Sequence, residues 1–125
     1  MLLRKVYRFL YADSMTYYYR TSTPNQLYDK HLPLLKEVEL KVLLVVIRQT
    51  YGYIDKNTGT YKEWDWISIS FFAKKTSTSK RAIGLAIQQL IDKKLIRVKN
   101  EQGRLVHTSV LRKYSNKLYF KATLE

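Results

Sequence analysis

The feature that most constrains the fold is a largely apolar segment between Val38 and Tyr51. Its length and its polar ends favour a helix, although a buried strand is the competing interpretation because many of its residues are β-branched. Gly52 predicts where this helix ends. A helix that is apolar on nearly every side is usually enclosed by its own domain. The rest of the chain must therefore fold around this segment, whose apolar residues are Val38, Leu40, Val42, Leu43, Leu44, Val45, Val46 and Ile47.

The chain is long enough for one such domain and too short for two. It has 125 residues, 46% of them hydrophobic, and no cysteine, which excludes disulfides, thiolate metal sites and thiol nucleophiles. It also lacks a clean signal peptide and an apolar run of roughly 18 residues that could span a membrane. We expect a single cytoplasmic domain (in the host cytoplasm if viral) over residues 1–125. It would comprise an N-terminal arm or strand (1–22), a core (23–110) and a C-terminal strand (111–125).

The formal net charge of +13 lies mostly in the C-terminal half. Residues 71–125 contain thirteen Lys and Arg against three acids, whereas residues 21–70 are balanced. Charge needed only for solubility has no reason to be concentrated in this way. The distribution therefore indicates an anionic partner; nucleic acid is the commonest and a membrane surface the next.

The basic half begins with a strand followed by two helices. Alternation over Trp64–Ser70 predicts a short strand, and a short helix follows at Phe71–Lys75. A polar break of three residues starts at Thr76. Ser79 is a good N-cap for a second helix over Lys80–Lys94.

The segment after this second helix predicts a β-hairpin. Strands are expected at Leu95–Lys99 and Arg104–Val110, joined by a turn over Asn100–Gly103, with a further strand at Lys117–Thr123. A short helix, a tight break, a longer helix and a hairpin form a helix-turn-helix followed by a β-wing. We therefore expect an α+β fold, namely a winged helix-turn-helix with a small antiparallel β-wing.

The N-terminal quarter contains a helical segment and an aromatic arm. Pro24 and Pro33 bracket a segment, Asn25–Leu32, with room for two helical turns, and Asn25 is a plausible cap. Residues 16–21 predict a short strand or an extended arm. We expect a homodimer, formed through the arm or the last strand; the alternative is that these segments close the sheet of one chain. The residues concerned are Tyr7, Phe9, Tyr11, Tyr17, Tyr18 and Tyr19 in the arm, and Leu118, Tyr119 and Phe120 in the strand.

The second helix predicts a surface that binds double-stranded DNA. Its aliphatic residues follow helical spacing, so the opposite face is free to enter a major groove. Residues there and in the preceding break can reach base edges or phosphates, and Gln88 can bond to an adenine edge. Basic residues of the wing suit the minor groove or phosphates. Alternatives are a purely structural helix pair and edge-strand protection by the wing charges. The candidate DNA-binding residues are Lys74, Lys75, Ser77, Thr78, Ser79, Lys80, Arg81, Gly84, Gln88, Arg97, Lys99 and Arg104.

Several stretches carry a resemblance to a known family. They are Thr23–Leu27, Lys41–Gly52, Asp65–Ser70, Phe72–Ser77, Ser79–Ile83 and Leu90–Ile96. Across about residues 23–98 the chain resembles the N-terminal winged-helix domain of phage replication protein O and related replication initiators. The resemblance implies binding to repeated sites in a replication origin, usually as a dimer, and recruitment of a helicase. The chain departs from the family at Ser77, where the turn usually has Gly, and at Leu85, where a basic residue is common.

Catalysis is not expected. Some initiators nick DNA with a tyrosine and a His-x-His metal site, but the two histidines here, His31 and His107, are far apart. We expect no catalytic residue, metal, cofactor, small-molecule substrate or membrane partner. The favoured role is replication initiation. A winged-helix transcriptional regulator and a winged helix used for protein contacts remain alternatives. Because we see no separate helicase-recruiting region before Glu125, we expect either a fragment of a longer initiator or a small protein that carries only the DNA-binding module.

Overall fold

The computed structural model describes residues 20–124 of the chain. A π-helical turn (Leu27–His31) and a 3-10 turn (Leu32–Leu34) come first. The remaining elements are α1 (Glu37–Thr50), β1 (Asp65–Trp66), α2 (Ile69–Thr76), α3 (Lys80–Asp92), β2 (Ile96–Lys99), α4 (Ser109–Lys113) and β3 (Tyr119–Ala122). The predicted α+β class is confirmed, and the order of the elements is compatible with a winged helix.

Helix α1 is the centre of the core, as the apolar segment predicts. Its residues Val42, Leu43 and Val46 are fully buried. The helix packs against α2, α3, β1 and β3. The chain leaves it in a tight turn, where a Cβ on Gly52 would collide with the carbonyl oxygen of Arg48. Only glycine fits this close approach.

The three strands form an antiparallel sheet in the order β1-β3-β2. Strand β3 is central and closes the sheet of one chain, which is the alternative given for Leu118, Tyr119 and Phe120, and both of its backbone edges are paired within the chain. Phe120 is fully buried and packs edge-on against Phe72, with ring centroids 5.0 Å apart. The aromatic arm residues Tyr7 to Tyr19 lie outside the described residues.

Two of the predicted strands are shorter than expected, because a capped helix begins within each of them. Trp64–Ser70 is a strand only at Asp65–Trp66, because the Ser68 hydroxyl accepts a hydrogen bond from the Phe71 N–H (3.1 Å) and starts α2 early. The predicted returning strand Arg104–Val110 is shortened: the chain turns back beside β2, where the Val106 N–H bonds to the Val98 carbonyl at 2.9 Å, but no strand extends to Val110. Only Leu105 forms a bridge, with Lys99.

A second helix cap explains why the predicted strand does not reach Val110. The Thr108 hydroxyl accepts from the Leu111 N–H at 3.3 Å and turns the chain into α4. Strand β3, further along the chain, pairs antiparallel with the other edge of β2 along its whole length.

The segment before α1 is helical but not capped as predicted. Its N-cap position is Gln26, and no side chain caps it. The Leu27 N–H instead bonds to the Pro24 carbonyl at 3.1 Å. The prediction of Asn25 as the cap is therefore wrong. The Leu27 side chain is 1% exposed and attaches this segment to the core.

Candidate nucleic-acid interface

The break between α2 and α3 is a tight left-handed turn. Ser77 has φ 53° and ψ 45°, a conformation that favours glycine. Its N–H bonds to the Ala73 carbonyl, and the Thr78 N–H bonds to the same oxygen at 3.1 Å. Lys74 and Lys75 occupy the last turn of α2 and are exposed. The predicted three-residue break is present, but it lies one residue later than expected, because Thr76 is the last residue of α2 and α3 begins at Lys80.

Helix α3 begins where the sequence predicts. The Ser79 hydroxyl accepts from the Ala82 N–H at 3.2 Å and caps the helix. The aliphatic residues predicted to face the core, Ile83, Ala86, Ile87 and Leu90, are all buried.

The opposite face of α3 presents its cations to solvent. Lys80 and Arg81 are exposed, and neither forms an ion pair with any residue between 20 and 124. Gly84 leaves open space on the next turn. Leu85 follows it and is 60% exposed. The start of α3 therefore offers two unneutralised cations and one apolar side chain.

A groove of about 400 Å³ separates α3 from α4. Its walls include Lys80, Arg81 and Leu85 on α3, Lys113 on α4, and Leu118 just before β3. The sequence analysis missed this groove because α4 lies where a strand was expected.

The side-chain amide of Gln88, predicted to bond to an adenine edge, is bonded within the protein. Its Nε2 donates to Asp92 Oδ1 and to the His107 carbonyl, both at 3.0 Å, and its Oε1 accepts from Arg112 Nη2 at 2.9 Å. Both donor hydrogens and the acceptor are thus used inside the protein. Gln88 attaches α4 to α3, and reading an adenine edge, which stays a prediction, would require these bonds to break.

Arg112 completes this attachment and was not among the predicted residues. It is 8% exposed, and its Nη1 donates to the Val106 carbonyl at 3.4 Å. Burial lowers the pKa of its guanidinium, and the nearby carboxylate of Asp92 opposes that shift. An arginine remains charged at physiological pH even so. No pattern in the sequence distinguishes it from the exposed arginines, because its burial depends on packing between distant elements.

The wing residues divide between two places. Arg97 and Lys99 lie on the outer face of the sheet, away from the buried residues Ile96 and Val98 that pack against the helices. Arg104 is exposed in the turn after β2, where its N–H bonds to Asn100 Oδ1 at 2.9 Å. The structure thus brings together the candidates from Lys74 to Gly84 and separates Arg97 and Lys99 from them.

Comparison with protein-family models matches residues 12–117 to bacteriophage replication protein O. The chain belongs to this family. The match includes α1, the α2–α3 pair and α4, and it confirms the resemblance found in the sequence. Membership in the protein O family assigns the chain a role related to phage replication. No curated protein and no solved structure matches the chain significantly. None of the helices within residues 20–124 is long and apolar enough to cross a membrane.

Proposed function

We propose that the chain binds double-stranded DNA through the start of α3 and recognises sites in a replication origin. The observation that carries this proposal is the exposure of Lys80 and Arg81 at the N-terminus of a capped helix, with no carboxylate to neutralise them in the described part of the chain. An exposed helix start of this kind fits a major groove.

The electrostatics of the surrounding residues support the same surface. Lys74 and Lys75 lie within one turn of the break. The one acid of α3, Asp92, is at its far end and bonded to Gln88. The helix N-terminus adds its own partial positive charge. The sum is a cationic surface suited to the phosphates on either side of a groove.

The residues divide by role. Arg81 can form paired hydrogen bonds with a guanine edge, and exposed Leu85 can contact a thymine methyl group. Lys74 and Lys75, before the break, contact the phosphate backbone, and the hydroxyls of Ser77 to Ser79 suit a phosphate. Arg104 remains a candidate contact from the wing.

The decisive test compares two substitutions on duplexes taken from the genome that encodes the chain. Arg81→Ala should weaken binding by about 1–3 kcal/mol and relax sequence preference, whereas Lys75→Ala should weaken all duplexes alike. Lys56→Ala, in an exposed turn outside α2 and α3, is the matched control. Affinity should fall with salt with a log–log slope of about −0.9 per phosphate contact. Unchanged duplex binding in Arg81→Ala would contradict the proposal.

The role in origin recognition has its own test, a map of bound sites. Tandem direct repeats beside an AT-rich stretch are expected for an origin, and a single palindrome at a promoter would instead indicate a regulator. We also propose that two copies bind each repeat and that a helicase is the later partner, as the family resemblance implies. Sedimentation of the DNA complex measures the number of copies bound to each repeat, and a value of one would exclude the dimer.

A further inference from the structure

The outer face of the sheet presents aromatic rings and cations in register. The strand pairing aligns Trp66, Tyr119 and Lys99 in one row across β1, β3 and β2. The next outward-facing row pairs Lys121 with Arg97. Residues between these rows point inward, so this face consists of the aromatic and cationic side chains.

The rings and the cations are in contact. The Lys99 ammonium lies 4.1 Å from the centroid of the Trp64 ring, and that of Lys121 lies 5.8 Å from the same ring. The Lys117 ammonium lies 4.9 Å from the Trp66 centroid. Trp66 is 52% exposed, which is unusual for so large an apolar side chain.

The charge of this face is strongly positive. Arg97, Lys99, Lys117 and Lys121 belong to it, and the acids beside it are Glu63, 3.7 Å from Lys121, and Glu101, whose carboxylate accepts from the Lys117 N–H at 3.4 Å. Asp65 does not neutralise these cations, because its carboxylate bonds to Lys62 at 2.6 Å and to Gln49 of α1.

We propose that this outer sheet face binds the unpaired nucleotides of a single-stranded nucleic acid. A base stacks on an exposed aromatic ring, and the phosphate beside it meets a lysine. The lysines do not block the rings, because an exposed cation–π contact is weaker than the stacking of a base on the same ring. Bases within a duplex stack on one another and cannot reach this face, so it discriminates against double-stranded DNA.

The outer sheet face adjoins the proposed duplex surface on α3 and would add a second binding site to it. Leu118, which precedes Tyr119 in the chain, lines the groove between α3 and α4. A duplex on α3 and an unpaired strand on the sheet could thus be held by one molecule, as at the edge of a melted region.

The chain supplies its own optical probe, because its two tryptophans, Trp64 and Trp66, both belong to this face. Titration of the full chain with a 20-nucleotide oligothymidylate should quench tryptophan fluorescence, since bases stack on the rings. Oligouridylate in a parallel titration distinguishes DNA from RNA as the preferred strand. Trp66→Ala should weaken binding about ten-fold, the effect of losing one stacked base. Tyr28→Ala, which removes a comparably exposed aromatic ring elsewhere, is the control.

A second variant tests the cations and does not depend on a tryptophan. Lys99→Ala should reduce the slope of log affinity against log salt by about 0.7 for the single strand. Trp66→Ala should not alter duplex binding, and Arg81→Ala should impair the duplex alone, so failure of one site is distinguishable from failure of the other. Absence of quenching, or equal binding of the oligothymidylate by Trp66→Ala and the unsubstituted chain, would overturn the proposal.

Discussion

Glu39 Oε1 lies 2.5 Å from the Nζ of Lys93, so one ion pair joins the start of α1 to the end of α3. The Glu39 side chain is 3% exposed and that of Lys93 is 34% exposed. The carboxylate also accepts from the Lys36 N–H at 3.2 Å, and the ammonium donates to the Leu34 carbonyl at 3.0 Å. The helix that carries the proposed DNA contacts is thus fixed at its far end by a partly buried charge pair.

Removing the charge of Glu39 should destabilise the fold. We expect Glu39→Gln to lower the free energy of unfolding by about 2 kcal/mol, because a hydrogen bond between charged groups is lost while Lys93 keeps its charge. Urea denaturation measures this. Glu37→Gln is the control, since Glu37 forms an exposed pair with Lys41 on the same helix and should change stability by at most about 0.5 kcal/mol. Equal losses in the two variants would contradict the importance of the buried pair.

The ion pair between Glu39 and Lys93 should also make the stability of the fold depend on pH. Burial by itself would raise the pKa of Glu39, but the hydrogen bond from Lys93 and that from the Lys36 backbone outweigh it and lower the pKa below 4.5. A lowered pKa contributes stability that is complete above the unfolded value and is lost as the pH falls through the folded value. The difference in Tm between the unsubstituted chain and Glu39→Gln should therefore shrink below about pH 4.5. A difference that stays constant down to pH 3 would exclude this contribution.

Substitution by glycine at two positions with positive φ should stabilise the protein. Ser77 and Lys94 have φ values of 53° and 62°. Ser77→Gly and Lys94→Gly should each raise the free energy of unfolding by about 0.5–1 kcal/mol, because relief of the left-handed conformation exceeds the entropy that glycine adds to the unfolded chain. Thermal denaturation tests this. Gly103→Ala, at φ 84°, should have the opposite sign.

Gln88→Ala separates a structural residue from one that reads bases. We expect it to lower the free energy of unfolding by about 1–2 kcal/mol, because the Arg112 guanidinium and the His107 carbonyl lose their partner. Sequence preference on duplex DNA should be unchanged. Relaxed preference at a single base pair, with stability intact, would restore the role in base reading predicted from the sequence.

Local patterns in the sequence were sufficient for α1 and α3, but not for the cap predicted at Asn25 or for α4. The apolar segment of α1, the Ser79 cap and the aliphatic stripe of α3 each depend on neighbouring residues, and each is confirmed. The errors arise where distant segments meet. Periodicity identifies the exposed face of α3 but not that α4 covers Gln88. It likewise cannot show that β2 pairs with β3 on one edge while the segment directly after its turn pairs only briefly with the other.

The central position of β3 has a consequence for biosynthesis. Strands β1 and β2 share no partner except β3, the last element of the described chain. The ribosome must therefore translate through Ala122 before the three-stranded sheet can form. Until then the helices are synthesised without the complete sheet, and the apolar residues of β2 lack their contact with Phe120.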